Sequence, residues 1–333
     1  MLGFDHFYVY DNSGAFSNQS SLEPVADIFP DDVTVIKWPS RICNNNPNNV
    51  DSVGERSSQY AAEASCRLRF GSHVNWIGQF DIDEYLIPMG NYTRITPLLK
   101  KLDDEGTKII SFASWRAWPR RTHINDPEVT TFKNDVKMCR RNSECFELSV
   151  RKDTTIMEAY NCDRQRPGAK SSTMPAEKQL YRPDYVTQHF IHYSTITEST
   201  NLLPKEFQEK FKGQRPFPDP LSRFGDEVNE GLMLHSKSVA RQDTAGWKLN
   251  CREDRKGFDQ CRIGFPWPED GSNATADKNG WAYNCYVNPR IDNYFAPKVK
   301  AKLKEMGLME TQRSTRLCFH KNSLEGSATP RRD

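Results

Sequence analysis

The sequence predicts an α/β fold, with a mostly parallel central sheet flanked by helices. Two observations carry that reading. Strand-like and helix-like patterns alternate through the first third of the chain. The segment Val74–Pro88, VNWIGQFDIDEYLIP, sets an apolar run directly before the clustered acids Asp81, Asp83 and Glu84. Separately, no stretch reaches the ~18–20 apolar residues of a membrane span.

Taken in order, Gly3–Tyr10 is rich in aromatic and β-branched residues and reads as a strand. Asp11-Asn12-Ser13-Gly14 supplies turn chemistry at its end. Asp32–Trp38 is a second strand, closed by Pro39. Gln59–Phe70 reads as a helix, with Tyr60, Ala64 and Leu68 on one face. The strand through Val74–Phe80 follows. Thr96 stands as a helix N-cap with Pro97 at the first helical position, and Ile95, Leu98, Leu99 and Leu102 share a face. Lys108–Trp115 is the next strand. Later, Lys178–Arg182, Val186–Tyr193 and Leu232–Ser238 read as strands, and Lys298–Met306 as a basic helix stopped by Gly307. Phe265–Gly280 reads as a loop, and the tail after Ser323 as disordered.

The acidic cluster carries the chemistry. A buried strand that ends in carboxylates is costly unless a cation or hydrogen bonds compensate the charge. In extended backbone Asp81 and Asp83 point one way, and Ile82 points back to the core. Such a D-x-D-E segment suits a divalent cation held by hard oxygens that also binds the phosphates of a nucleoside diphosphate. The plain alternative is a pair of exposed acids at a loop start.

The chain has 333 residues, 36 % hydrophobic and 27 % charged, with a net charge of +2. That balance fits a globular protein and names no polyanionic partner; the short Lys298–Lys304 basic run does not make a nucleic-acid binder. Nine cysteines, none in a C-x-x-C pair, argue against a zinc ribbon. Cys139/Cys145 and Cys251/Cys261 are spaced as short disulfide loops. With the N-x-S/T triplets at Asn18, Asn91 and Asn273, they point to an oxidising secretory lumen. The odd count leaves one thiol over. No signal peptide is visible, so the expectation is a chain lacking its natural N-terminus.

Several ordered blocks resemble glycosyltransferase family 92. They are FYVYDNS at Phe7–Ser13, the Gln59–Arg67 helix, GQFDIDEYLIP, and KQLYRPDYVTQHFIHY with Lys178, Arg182, Pro183, His192 and Tyr193. LMLHSKS resembles the closing block at His235, with Ser236 and Lys237 in place of tyrosine and arginine. The resemblance implies a GT-A-like nucleotide-diphospho-sugar transferase fold over residues 3–240. A cysteine-containing extension, 241–322, would pack on it, and 323–333 would be the tail. It implies a metal-dependent inverting transfer, of galactose from UDP-galactose to a glycan acceptor, with Mn²⁺ or Mg²⁺.

By the same resemblance, Asp81, Asp83 and His235 would hold the metal. Asp81, Asp83, Glu84 and Glu230 are the candidate catalytic residues. Asp11, Asn12, Asp81, Lys178, Arg182, His192 and Lys237 would contact the donor. Asp11-Asn12 also reads as a simple turn. Asp226, Glu227 and Glu230 are candidate general bases, or surface acids; His189 reads as structural. Relatives carry a further strand and helix before Leu2, so a first strand, a helix and an N-terminal membrane anchor are expected to be missing. The expected location is the Golgi lumen, as a type II membrane protein. Trp115, Trp118, Arg116, Arg120 and Arg121 replace the turn usual in relatives, and either contact an altered acceptor or form a core tryptophan pair with a solvated basic turn. The alternative function is an inactive carbohydrate-binding or structural protein on the same scaffold. A two-metal phosphohydrolase lacks its second acidic cluster.

Overall fold

The computed structural model describes residues 2–13, 21–39, 55–117, 123, 128–130, 143–149, 151, 154–161, 177–200, 219–236, 287–309 and 314–320; at 55–57, 115–116, 128–130, 143–149 and 314–320 only the backbone is described. In chain order the elements are β1 (Phe7–Asp11), α1 (Glu23–Ala26), β2 (Val33–Lys37), α2 (Glu55–Phe70), β3 (Ile77–Gly78), β4 (Glu84–Pro88), α3 (Thr96–Asp104), β5 (Ile109–Arg116), β6 (Glu128–Thr130), β7 (Ser143–Ser149), α4 (Ile156–Ala159), β8 (Glu177–Tyr181), β9 (Val186–Phe190), β10 (Tyr193–Thr197), β11 (Ser222–Phe224), β12 (Gly231–His235), α5 (Ala296–Glu305) and β13 (Ser314–His320). They fall into two compact units. The first is Met1–Asp81, Pro88–Ser114 and Ser172–Met233; the second is Ile82–Ile87, Trp115–Ser171 and Leu234–Asp333.

In the first unit β1 and β2 pair in parallel, Phe7 opposite Val33. A second sheet runs β3-β8-β5-β12, with β11 on β5. There β3 and β5 both pair antiparallel to β8, while β11 is parallel to β5. The expected mostly parallel sheet is therefore mixed among the described pairings: β8 inserts between two strands that run against it. Its core joins Ile77, Ile109, Tyr181, Tyr185 and Val186. Helix α3 buries Ile95, Leu98 and Leu102 fully, as its i, i+3, i+7 spacing requires. Its N-cap is Ile95, not Thr96; the Thr96 hydroxyl donates instead to the Gly3 carbonyl at 3.1 Å. Gly90 holds φ +58°, and a Cβ there would run into the Asn229 carbonyl. Glycine is thus required at the exit of β4.

Three further expected details differ. Helix α2 exposes Ala64 and Leu68 and buries Ala62 and Glu63. Its sparse apolar residues do not choose its inner face; contact with β9 does. The single strand expected over Val186–Tyr193 is an antiparallel hairpin, β9–β10, with Ile191 and His192 at its turn. Finally, β3 is two residues long. Ile82 and Asp83 form a turn, and Ile82 is 86 % exposed, not directed to the core. Period-two alternation holds only while the backbone stays extended.

In the second unit β6, β7 and β13 form an antiparallel sheet, β7 in the middle. Helix α4 opens with a capping box in which Thr155 and Glu158 satisfy each other's backbone N–H. Lys300 of α5 meets Glu158 at 2.6 Å. The Asn161 amide donates to the Asn288 carbonyl and to Asp292, at 2.8 and 2.7 Å. Helix α5 ends at Gly307, φ +68°. No helix among the described residues is long and apolar enough to cross a membrane. Cys139, Cys162, Cys251, Cys261, Cys285, the 265–280 segment and the 323–333 tail lie outside the described residues.

Candidate active site

The acidic segment is cut by the unit boundary after Asp81, and each side organises its own carboxylates. In the first unit both Asp81 oxygens are occupied. Lys178 donates to Oδ2 and Gln59 to Oδ1, each at 3.1 Å. The Lys178 side chain is 1 % exposed and that of Asp81 40 %, so the ammonium is directed outward from the core to a half-exposed carboxylate. Strand β8 delivers it. Glu177, Lys178 and Gln179 are all buried there, where polar residues are rare. Gln179 accounts for part of the tolerance. It donates to the Ser111 hydroxyl and to Glu177, and accepts from the Ser194 N–H and hydroxyl.

Beneath this pair lie two buried titratable groups. Burial pushes the Glu63 carboxyl up to about 8; Lys178 opposes the shift and Asp81 adds to it. Burial pushes His189 down to about 3, with Lys178 and His192 adding to the shift. Its ring stacks on Tyr181, centroids 4.8 Å apart. The Ser194 hydroxyl already donates to Gln179, so His189 Nδ1–H donates to Ser194 Oγ at 3.3 Å and Nε2 is left as an acceptor. His192, at the hairpin turn, meets the Glu177 carbonyl through Nδ1 at 3.0 Å.

The remaining first-unit candidates are engaged elsewhere. Arg182 pairs with Asp103 at 2.8 Å and with Asp184 at 3.2 Å. Asp11 is buried and accepts from the Ser13 N–H, the Ser21 hydroxyl and the Leu22 N–H, tying the end of β1 to the start of α1. Burial alone would raise its pKa, but these donors outweigh it and hold the carboxyl below its usual range. Asn12 follows it, half-buried. Glu230 accepts two bonds from Arg223, at 2.7 and 2.9 Å, one from Lys101 at 3.0 Å and one from the Asp226 N–H. Against the opposing effect of burial, these hold it at about 2. A carboxylate so committed is a poor proton acceptor at neutral pH. Asp226 likewise accepts from Val228 and Asn229.

The second unit brings together residues far apart in sequence. His235 Nε2 lies 3.4 Å from Asp83 Oδ2, and its Nδ1 lies 3.6 Å from Glu84 Oε1. Two bonds fix the approach: the Ser236 N–H and hydroxyl both donate to the Asp83 carbonyl, at 2.8 and 3.1 Å. The Ala117 N–H, in turn, donates to the His235 carbonyl at 2.8 Å. Glu84 is nearly fully enclosed, and Asp83 and His235 are part-exposed. A carboxylate oxygen and an imidazole nitrogen at this separation suit a shared divalent ion. No group of three or more His, Cys, Asp or Glu side chains among the described residues could hold a metal alone. Any ion there would complete its shell with substrate oxygens and water. Lys237, Trp118, Arg120 and Arg121 lie outside the described residues, and Trp115 and Arg116 are described by backbone only.

Gln59 and Ser236 are the residues that sequence reasoning missed. Ser236 was visible as a departure from the closing block; Gln59 carried no signal beyond its place on α2.

A family model described as Glycosyltransferase family 92 matches residues 1–260. None of the curated proteins compared with the chain matches it. The family match spans well over half of the sequence, so the chain belongs to glycosyltransferase family 92, which supports an α/β nucleotide-sugar transferase fold and a glycosyltransferase acting between a sugar donor and a glycan acceptor.

Proposed function

We propose that this family 92 member adopts a GT-A-like fold and transfers galactose from UDP-galactose to a glycan hydroxyl with inversion, dependent on a Mn²⁺-type ion, in the Golgi lumen. The meeting of Asp83 and His235 carries the reading: one mixed oxygen–nitrogen pair built from two distant segments. Such a donor set favours Mn²⁺ over Mg²⁺. A bound ion would supply Lewis acidity toward the departing diphosphate. Asp83 and His235 would hold it, and Glu84 would orient the imidazole through Nδ1. Lys178 and Gln59 hold the Asp81 carboxylate in one orientation for the donor. Arg182 pairs with Asp103 and Asp184, and Lys237 stands as a candidate cation for the diphosphate. In the transfer, the acceptor oxygen bonds to the anomeric carbon as the carbon–phosphate-oxygen bond breaks. The acceptor proton goes to a base and UDP leaves.

The test is UDP release from UDP-galactose with Mn²⁺ and with EDTA. Release that needs Mn²⁺ is expected; release of equal rate in EDTA refutes the metal role. The closed pairing of both Asp81 oxygens favours a second reading, a glycan-binding scaffold without donor chemistry. Thermal stabilisation by UDP would count against that reading.

A further inference from the structure

We infer that Cys145 and Cys318 are joined by a disulfide that ties β13 to β7. The two strands pair antiparallel in unbroken register from Ser314 opposite Ser149 to His320 opposite Ser143, and Cys318 stands directly opposite Cys145. Directly opposed residues in such a ladder have Cα atoms about 4.5–5.5 Å apart and share a face. A disulfide spans Cα separations of about 4.4–6.8 Å. Across its other edge, β7 sets Thr130 opposite Cys145, so the ladder offers Cys145 one cysteine.

The cysteine inventory agrees. Cys66 is a half-buried free thiol of the first unit. Burial, and then Glu63, push it up to about 11, and a thiol that is not ionised is a poor partner in exchange. Setting it aside from the nine cysteines leaves an even number to pair. The register therefore competes with the short Cys139–Cys145 loop that spacing suggests. It joins β7, inside the family-matched residues, to β13, beyond them.

Formation is a balanced exchange. The two thiols lose two protons and two electrons, one sulfur–sulfur bond forms, and a small-molecule disulfide such as oxidised glutathione is reduced to two thiols. In the cell the bond rests on the oxidising-lumen reading; the test supplies the oxidant and so stands apart from it.

The folded full chain is equilibrated in a glutathione redox buffer, alkylated, digested without reduction and mapped by mass spectrometry. The expected result is a Cys145–Cys318 linked peptide, absent after reduction. In Cys318→Ser, Cys145 should become alkylated. Alkylation of both cysteines in the oxidised wild type overturns the inference, as does Cys145 linked to Cys139 or to any other cysteine. The wild-type map decides the matter even where the variant fails to fold.

Discussion

Replacing Glu63 by glutamine should change the pH dependence of stability in a way that the buried carboxyl dictates. In the folded chain Glu63 titrates at about 8, against 4.5 for an ordinary glutamate. Between those values the native state holds a proton that the unfolded state has released. Stability then falls as pH rises, by about 1.4 kcal/mol per pH unit. His189 works in the opposite sense. It is held neutral down to about 3, against an ordinary 6.5, so its contribution is lost as pH falls below 6.5. The two slopes cancel between 4.5 and 6.5, and above 6.5 the Glu63 slope stands alone. From pH 5.5 to pH 8, wild type should lose about 3 kcal/mol relative to Glu63→Gln. Urea unfolding of both proteins at pH 5.5, 6.5 and 8 measures this. A difference between them that does not vary with pH would refute the burial argument.

Asp83→Ala should lower Mn²⁺-dependent UDP release by roughly a hundredfold or more with little change in the unfolding midpoint, because Asp83 is part-exposed; full activity would sink the proposed metal role. Glu230→Gln should cost about 1–3 kcal/mol of stability by breaking the pairs with Arg223 and Lys101. Its effect should appear in denaturant midpoints while the pH profile of turnover stays unmoved; a lost basic limb would instead make Glu230 the base. The Glu230 contribution should also fade as pH falls from 4.5 through about 2. Leu102→Ala, at a fully buried position of α3, should cost about 2–5 kcal/mol by calorimetry or urea titration.

Much of the fold was legible where local pattern and packing agree. Helix α3 lies where its leucines and Pro97 place it, and Gly307 ends α5. The acidic segment was legible as a candidate centre, and His235 became legible through the resemblance of its block. The rest depended on long-range pairing. The strand at β8 was legible, but nothing in EKQLY announces that Glu177, Lys178 and Gln179 are buried; their burial is tolerated by Ser111, Ser194 and Asp81, which come from other elements. The inner face of α2 was misread because its buried side includes a carboxyl, which hydrophobic periodicity scores as outward. Ile82 was misplaced because the turn at Ile82-Asp83 breaks the period-two alternation of extended backbone.

The half-buried thiol of Cys66 gives helix α2 a built-in clock. Only the thiolate reacts with alkylating reagents. A thiol held at about 11 in place of 9.0 is ionised roughly a hundredfold less in the closed state. Labelling of Cys66, followed by mass spectrometry at that one site, would then proceed chiefly through moments when α2 lifts from β9. Gln59 rides on the same helix and holds Asp81, so the labelling rate would count how often that carboxylate is released.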